Sequence, residues 1–151
     1  MRLVVQRVTR ASVGADGETL GAIGRGAVVL VGIEAADSPE LVDRMADKLL
    51  GLRYFGDEAG LTNLAIDVID GAYLVVSQFT LLADLRHGRR PGFANAAAPD
   101  AAEPLVDRFV TRLREAGRQV ATGRFGAAMM VELVNDGPFT LLLDSGRDLA
   151  G

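Results

Sequence analysis

The chain has no cysteine and no tryptophan, and His87 is its only histidine. Without cysteine it can form no disulfide, offer no thiolate nucleophile and build no Cys-ligated zinc site, which makes a reducing cytoplasm the expected setting. One histidine excludes a multi-histidine metal centre, and no aspartate-rich loop of the EF-hand type is present, so neither metal nor cofactor is expected. Long apolar runs are missing as well. Nothing approaches the ~20 apolar residues of a membrane span, and the N-terminal run Met1 to Arg7 carries charge where a signal sequence would be apolar. Lysine is nearly absent: of 16 basic residues only Lys48 is lysine, against 20 acidic ones, for a net charge of -4. That balance argues against a protein that coats DNA or other long nucleic acid through many phosphates, and leaves room for a small RNA footprint.

What is present is a chain of 151 residues, 49% hydrophobic, without repeats or low-complexity segments. It fits one domain, residues 1–151, with a substantial core. Leu3 to Val13 is rich in β-branched residues, and Ala15-Asp16-Gly17 supplies turn chemistry into Glu18 to Ile23, which predicts a hairpin. Ala27 to Ile33 is apolar on both faces and predicts a central strand covered on both sides. Ser38-Pro39-Glu40 is a helix start, followed by Leu41, Val42, Met45, Leu49 and Leu52 at helical spacing. After a looser stretch at 57–63, a second buried strand is expected from Ala72 to Leu82. A helix follows from about Pro99 to Ala116, stopped at Gly117. Two last strands are expected at about Ala127 to Val134 and Phe139 to Leu143. The order signals an α+β fold rather than repeating βαβ units.

Few constellations suited to chemistry are available. A Ser-His-Asp triad would need His87 with Ser77 and Asp84, but His87 lies among Arg86, Gly88, Arg89 and Arg90 and reads as a solvated loop histidine. The glycines from Gly21 to Gly26 lack a phosphate-loop lysine and its strand-to-helix setting. An enzyme built on this chain must therefore work with hydroxyls, amides and backbone groups. Ser77-Gln78-Phe79-Thr80, at a strand end, can aim several such groups at one small ligand. Asn135-Asp136-Gly137-Pro138, taken alone, is ordinary turn chemistry between two strands. The arginine-rich loop from Asp84 to Arg90 suits bidentate phosphate contact, although arginine preference runs through the whole chain.

Taken together, these blocks resemble the paired signature of the D-aminoacyl-tRNA deacylases. The similarity begins at Gln6-Arg7-Val8-Thr9-Arg10-Ala11 and Gly32. It continues through Ser77-Gln78-Phe79-Thr80-Leu81, Arg90-Pro91-Gly92-Phe93 and Gly123-Arg124-Phe125-Gly126-Ala127, and ends on Asn135-Asp136-Gly137-Pro138.

The resemblance implies a hydrolase that releases a D-amino acid from the 3′ end of tRNA, with mischarged glycine as a further substrate. It implies a homodimer in which the Gly137-Pro138 turn of one chain, cis at that bond, enters the pocket of the other. Rigid carbonyls close to the α-carbon would then reject L-amino acids and ignore the D-side chain. The expected fold is a barrel-like core of mixed, mostly antiparallel sheets with two main helices packed on it. The residues implied at the reacting centre are Ser77, Gln78, Phe79 and Thr80, with the Phe79 N–H facing the oxyanion. Attack by water, helped by the adenosine 2′-hydroxyl, competes with Thr80 as covalent nucleophile. Substrate would be held by Arg7, Asn135, Gly137 and Pro138 at the turn and by Phe125 and Met129 around the terminal adenine. A non-catalytic module that binds aminoacylated RNA ends and a generic esterase are the alternatives.

Overall fold

A computed structural model describes residues 1–149. Its organiser is β1 (Arg2–Ala15), a 14-residue strand in which buried and open positions largely alternate. The N-terminal half of β1 pairs antiparallel with β3 (Gly26–Gly32), and its C-terminal half pairs with β2 (Glu18–Ile23) across the expected hairpin turn. Asp16 and Gly17 take the positive φ that such a turn requires.

β3 continues parallel into β6 (Ala72–Ser77), and β6 into β7 (Val120–Thr122). A separate hairpin, β4 (Arg53–Gly56) with β5 (Thr62–Ala65), lies within the crossover between β3 and β6. The other edge of β1 pairs along almost its full length with β8 (Met130–Asp144). The result is a mixed, nearly closed, barrel-like sheet, and the expected α+β class holds.

Two cores follow from strand alternation. Val29 and Val31 of β3 and Tyr73 and Val75 of β6 face the helices, whereas Val28, Leu74 and Val76 face the inside of the curled sheet with Val8, Ala11 and Val13. The prediction that β3 is covered on both sides is thereby met. Helix α1 (Pro39–Leu50) is capped by Ser38, whose hydroxyl accepts from the Leu41 amide, and buries Val42, Met45, Ala46 and Leu49. Helix α2 (Pro99–Glu115) buries Ala102, Val106, Phe109, Val110 and Leu113. Bidentate pairs from Arg108 to Asp43 and from Arg112 to Asp47 tie the two helices together along their open side. A last short helix, α3 (Ser145–Asp148), follows β8.

Three boundaries differ from the sequence reading. β6 stops at Ser77 instead of Leu82, and Phe79–Leu82 forms a 3-10 turn. The stretch at 57–63 is not loose: the Asp57 carboxylate accepts from the Ala59 and Leu61 amides and from Asn63, which closes the β4–β5 hairpin. The two expected last strands are one. Asn135 to Pro138 does not separate them, because β1 pairs with the chain on both sides of that block.

Candidate active site

The bend after β6 exists because β3 leaves room for it. A side chain at Gly32 would sit 3.1 Å from the Leu81 Cβ and 3.2 Å from the Gln78 carbonyl oxygen, so glycine lets the turn lie against the strand. The Gln78 amide still donates to the Val31 carbonyl at 2.7 Å, as the last rung of the parallel ladder. Beyond it Phe79 and Thr80 open the 3-10 turn, and their N–H groups have no carbonyl behind them within the turn to bond. The Gln78 side-chain amide donates to the Thr80 hydroxyl.

Above this bend lies a cavity of about 540 Å³. Ser77, Gln78 and Phe79 form one wall, Phe93, Ala96, Ala97 and the start of α2 another, and Phe125, Gly126, Ala127 and Met129 a third. Three of the chain's six phenylalanines are thus spent on one cavity. Phe79, 54% exposed, meets Phe93 edge-on with ring centres 5.0 Å apart. Met129 is seated by a second close approach: a Cβ on Gly123 would fall 2.4 Å from the Met129 sulfur, which also accepts the Arg124 amide at 3.4 Å. None of the lining residues is ionisable. The cavity therefore offers hydroxyl, amide, aromatic and thioether groups and no side-chain base.

His87 does not line it, and the Asp84 carboxylate is committed elsewhere. Hydrogen bonds from the Arg86 guanidinium and amide hold Asp84 down at about 2, so it is not the orienting member of a triad. Mutual backbone bonds between Asp84 and Gly92 close the basic loop, leaving His87, Arg89 and Arg90 exposed at its tip.

The remaining candidate residues gather at a second place. Gln6 faces Thr140 and Val8 faces Asn135, so Asp136 through Phe139 stand across from Arg7 alone, a wide bulge in β8. The Gly137-Pro138 bond is cis, and both residues are exposed. Arg7 spans the bulge: its Nε donates to the Asp136 carbonyl at 2.8 Å, its Nη1 to the Tyr54 carbonyl at 2.8 Å, and its guanidinium lies 4.5 Å from the Phe139 ring centre. Asn135 closes the base, accepting the Phe139 amide at 2.6 Å while its own amide donates to the Phe139 carbonyl and the Thr140 hydroxyl.

Of the ten candidate residues, then, Ser77, Gln78, Phe79, Phe125 and Met129 line the cavity, with Thr80 beside it. Gly137 and Pro138 lie in the bulge, Arg7 and Asn135 hold it, and none of the four lines the cavity of its own chain. Phe93, Tyr54 and Phe139 join these two places without having been singled out as site residues. Phe93 had a sequence signal in the Arg90 to Phe93 block and Phe139 in directly following Asn135 to Pro138, whereas Tyr54 had none.

A family model described as D-Tyr-tRNA(Tyr) deacylase matches residues 4–144. The D-aminoacyl-tRNA deacylase of Symbiobacterium thermophilum is 56% identical over 147 residues, covering 97% of each chain. That of Anaeromyxobacter dehalogenans is 56% identical over 147 residues, 97% of this chain and 99% of its own. Among solved structures, a c-Myc DNA unwinding element binding protein superposes with a TM-score of 0.90 at 41% identity, over 95% of this chain and 98% of that one. A probable eukaryotic D-amino acid tRNA deacylase superposes at 0.83 with 18% identity over 94% and 97%, a likeness of fold. The chain belongs to the D-aminoacyl-tRNA deacylase family.

Proposed function

We propose that this chain, as one catalytic domain in the cytoplasm, hydrolyses the ester of D-aminoacyl-tRNA to free D-amino acid and tRNA, with mischarged glycyl-tRNA as a second substrate. The observation that carries the reading is a cavity without an ionisable lining that begins where the Phe79 and Thr80 amides lack a partner within their turn. An aminoacyl ester is already activated, so positioned water and a backbone donor for the oxyanion can supply much of the acceleration. Phe79 N–H takes that role, with Thr80 N–H beside it, and Ser77 and Gln78 shape the strand end. The substrate's 2′-hydroxyl activates water. Thr80 as nucleophile has no neighbouring base, and a hydroxyl needs one.

Phe125 and Met129 hold the terminal adenine, and the Arg89 and Arg90 tip takes phosphates of the acceptor end. Handedness is read by the Gly137-Pro138 bulge of a second copy, held out by Arg7 and Asn135. Support for a dimer comes from β8, which pairs with β1 alone and leaves Met130 (83%), Val134 and Leu142 (52%) exposed along its length. An open apolar edge of this length is normally covered.

Single-turnover release from D-tyrosyl-tRNA and L-tyrosyl-tRNA tests the proposal. The expected result is release from the D form far faster than from the L form, persisting in Thr80→Ala but falling with a substrate that lacks the 2′-hydroxyl. Release from neither form would indicate a binding module; equal release from both would indicate a generic esterase.

A further inference from the structure

Tyr54 lies in β4, a strand that supplies nothing to the cavity, and its ring is buried. Its carbonyl receives Nη1 of Arg7, whose side chain is only 15% exposed. The same residue presents its ring to Phe139, with centres 6.3 Å apart and planes 20° from parallel, and packs on Phe55 at 4.6 Å. Arg7 in turn grips the Asp136 carbonyl and lies against Phe139. Asp136 and Phe139 are the first and last residues of the four-residue bulge, so both of its ends lead to Tyr54, one through the guanidinium and one through the aromatic ring.

The hairpin behind Tyr54 is braced on its own account. Arg53 donates to the Asn63 carbonyl at 2.6 Å and to the Asn63 side chain, and Asp57 ties the hairpin's loop. The hydroxyl end of Tyr54 is driven into the core against the Tyr73 hydroxyl, and neither has a well-aligned hydrogen bond. That end cannot swing out without exposing the ring.

We infer that Tyr54 is a positioning residue for the Gly137-Pro138 bulge, fixing how far its carbonyls project by anchoring Arg7 and Phe139 to the β4–β5 hairpin. The inference rests on the reading that this bulge filters handedness. A filter that works by exclusion depends on stiffness, so slack in its mounting admits the wrong hand before it slows the right one.

The test compares the ratio of kcat/KM on L-tyrosyl-tRNA to that on D-tyrosyl-tRNA for the wild-type chain, Tyr54→Leu, Tyr54→Phe and, as a hairpin control, Leu61→Ser at the exposed tip. Tyr54→Leu raises the ratio about two- to tenfold, the range an aromatic pair supplies, while Tyr54→Phe and Leu61→Ser keep the wild-type ratio. Tyr54→Leu keeps the carbonyl that holds Arg7 and removes the ring that holds Phe139, so solvent exchange of the Phe139 amide, followed by NMR, reads the same mounting without substrate and quickens in Tyr54→Leu alone. An unchanged ratio and unchanged exchange in folded Tyr54→Leu would overturn the inference. A wild-type chain inactive on both substrates would instead sink the parent reading, and the exchange measurement would still decide the role of Tyr54.

Discussion

The Tyr54 and Tyr73 hydroxyls are buried against each other without a well-aligned hydrogen bond among the described residues. Burial pushes both phenols up, Tyr73 to about 12, so both stay protonated at any pH the fold tolerates. An unpaired buried hydroxyl is a net cost, and the cure is to remove it. Tyr73→Phe should therefore stabilise the chain by about 0.5 to 1.5 kcal/mol in denaturant unfolding. A loss of 1 kcal/mol or more would show that the hydroxyl is in fact bonded. At this scale Arg7 was singled out through the family resemblance rather than by its local chemistry, and the structure gives it three partners, all distant in the chain. Tyr54 was not, because its importance comes from what lies across 85 residues of chain at Phe139, and no local pattern records that.

Elements were legible where propensity and packing agree. Ser38 capped its helix as the sequence demanded, whereas Ala98, which has no side-chain oxygen, stands at the N-cap of α2 with no side-chain bond. Its backbone is already extended, at φ -61° and ψ 149°, and because Pro99 has no N–H and the Ala101 amide already bonds the Asp100 carboxylate and the Ala98 carbonyl, a hydroxyl placed there has the Asp100 amide left to meet. Ala98→Ser should gain about 1 kcal/mol and raise the melting temperature by about 2 to 4 °C. An unchanged or lowered melting temperature would mean that the cap is already satisfied another way. Elements were misread where tertiary structure overrode local chemistry. Phe79 to Leu82 continues an apolar run and looks like strand, yet the chain turns there because Gly32 on another strand makes space. Asn135 to Pro138 has the composition of a hairpin turn, yet β1 is long enough to template the chain before and after it, so the same residues become a bulge that projects.

For the whole molecule, the decisive fact is separation: the cavity and the bulge each gather residues of one proposed site, but one chain does not bring them together. β8, the strand that bears the bulge, has one unpaired edge and exposes Met130, Val134 and Leu142, so it is where a second copy would close that gap. Composition could frame this only in part. An acidic chain with three arginines, Arg86, Arg89 and Arg90, in one loop fits a substrate gripped at its end, whereas which surface meets which depends on the curl of the sheet.

Complementation between chains puts the claim of a shared site to the most direct test. One variant would carry an altered cavity, such as Phe79→Pro, which removes an N–H, and the other an altered mounting, such as Arg7→Ala. Each alone should be nearly inactive on D-tyrosyl-tRNA. Unfolded and refolded together in equal amounts, half of the dimers would be mixed and each would hold one sound cavity facing one sound bulge, restoring about a quarter of wild-type release. Activity no greater than the sum of the two variants, from a mixture shown to contain mixed dimers, would contradict a site assembled from two chains.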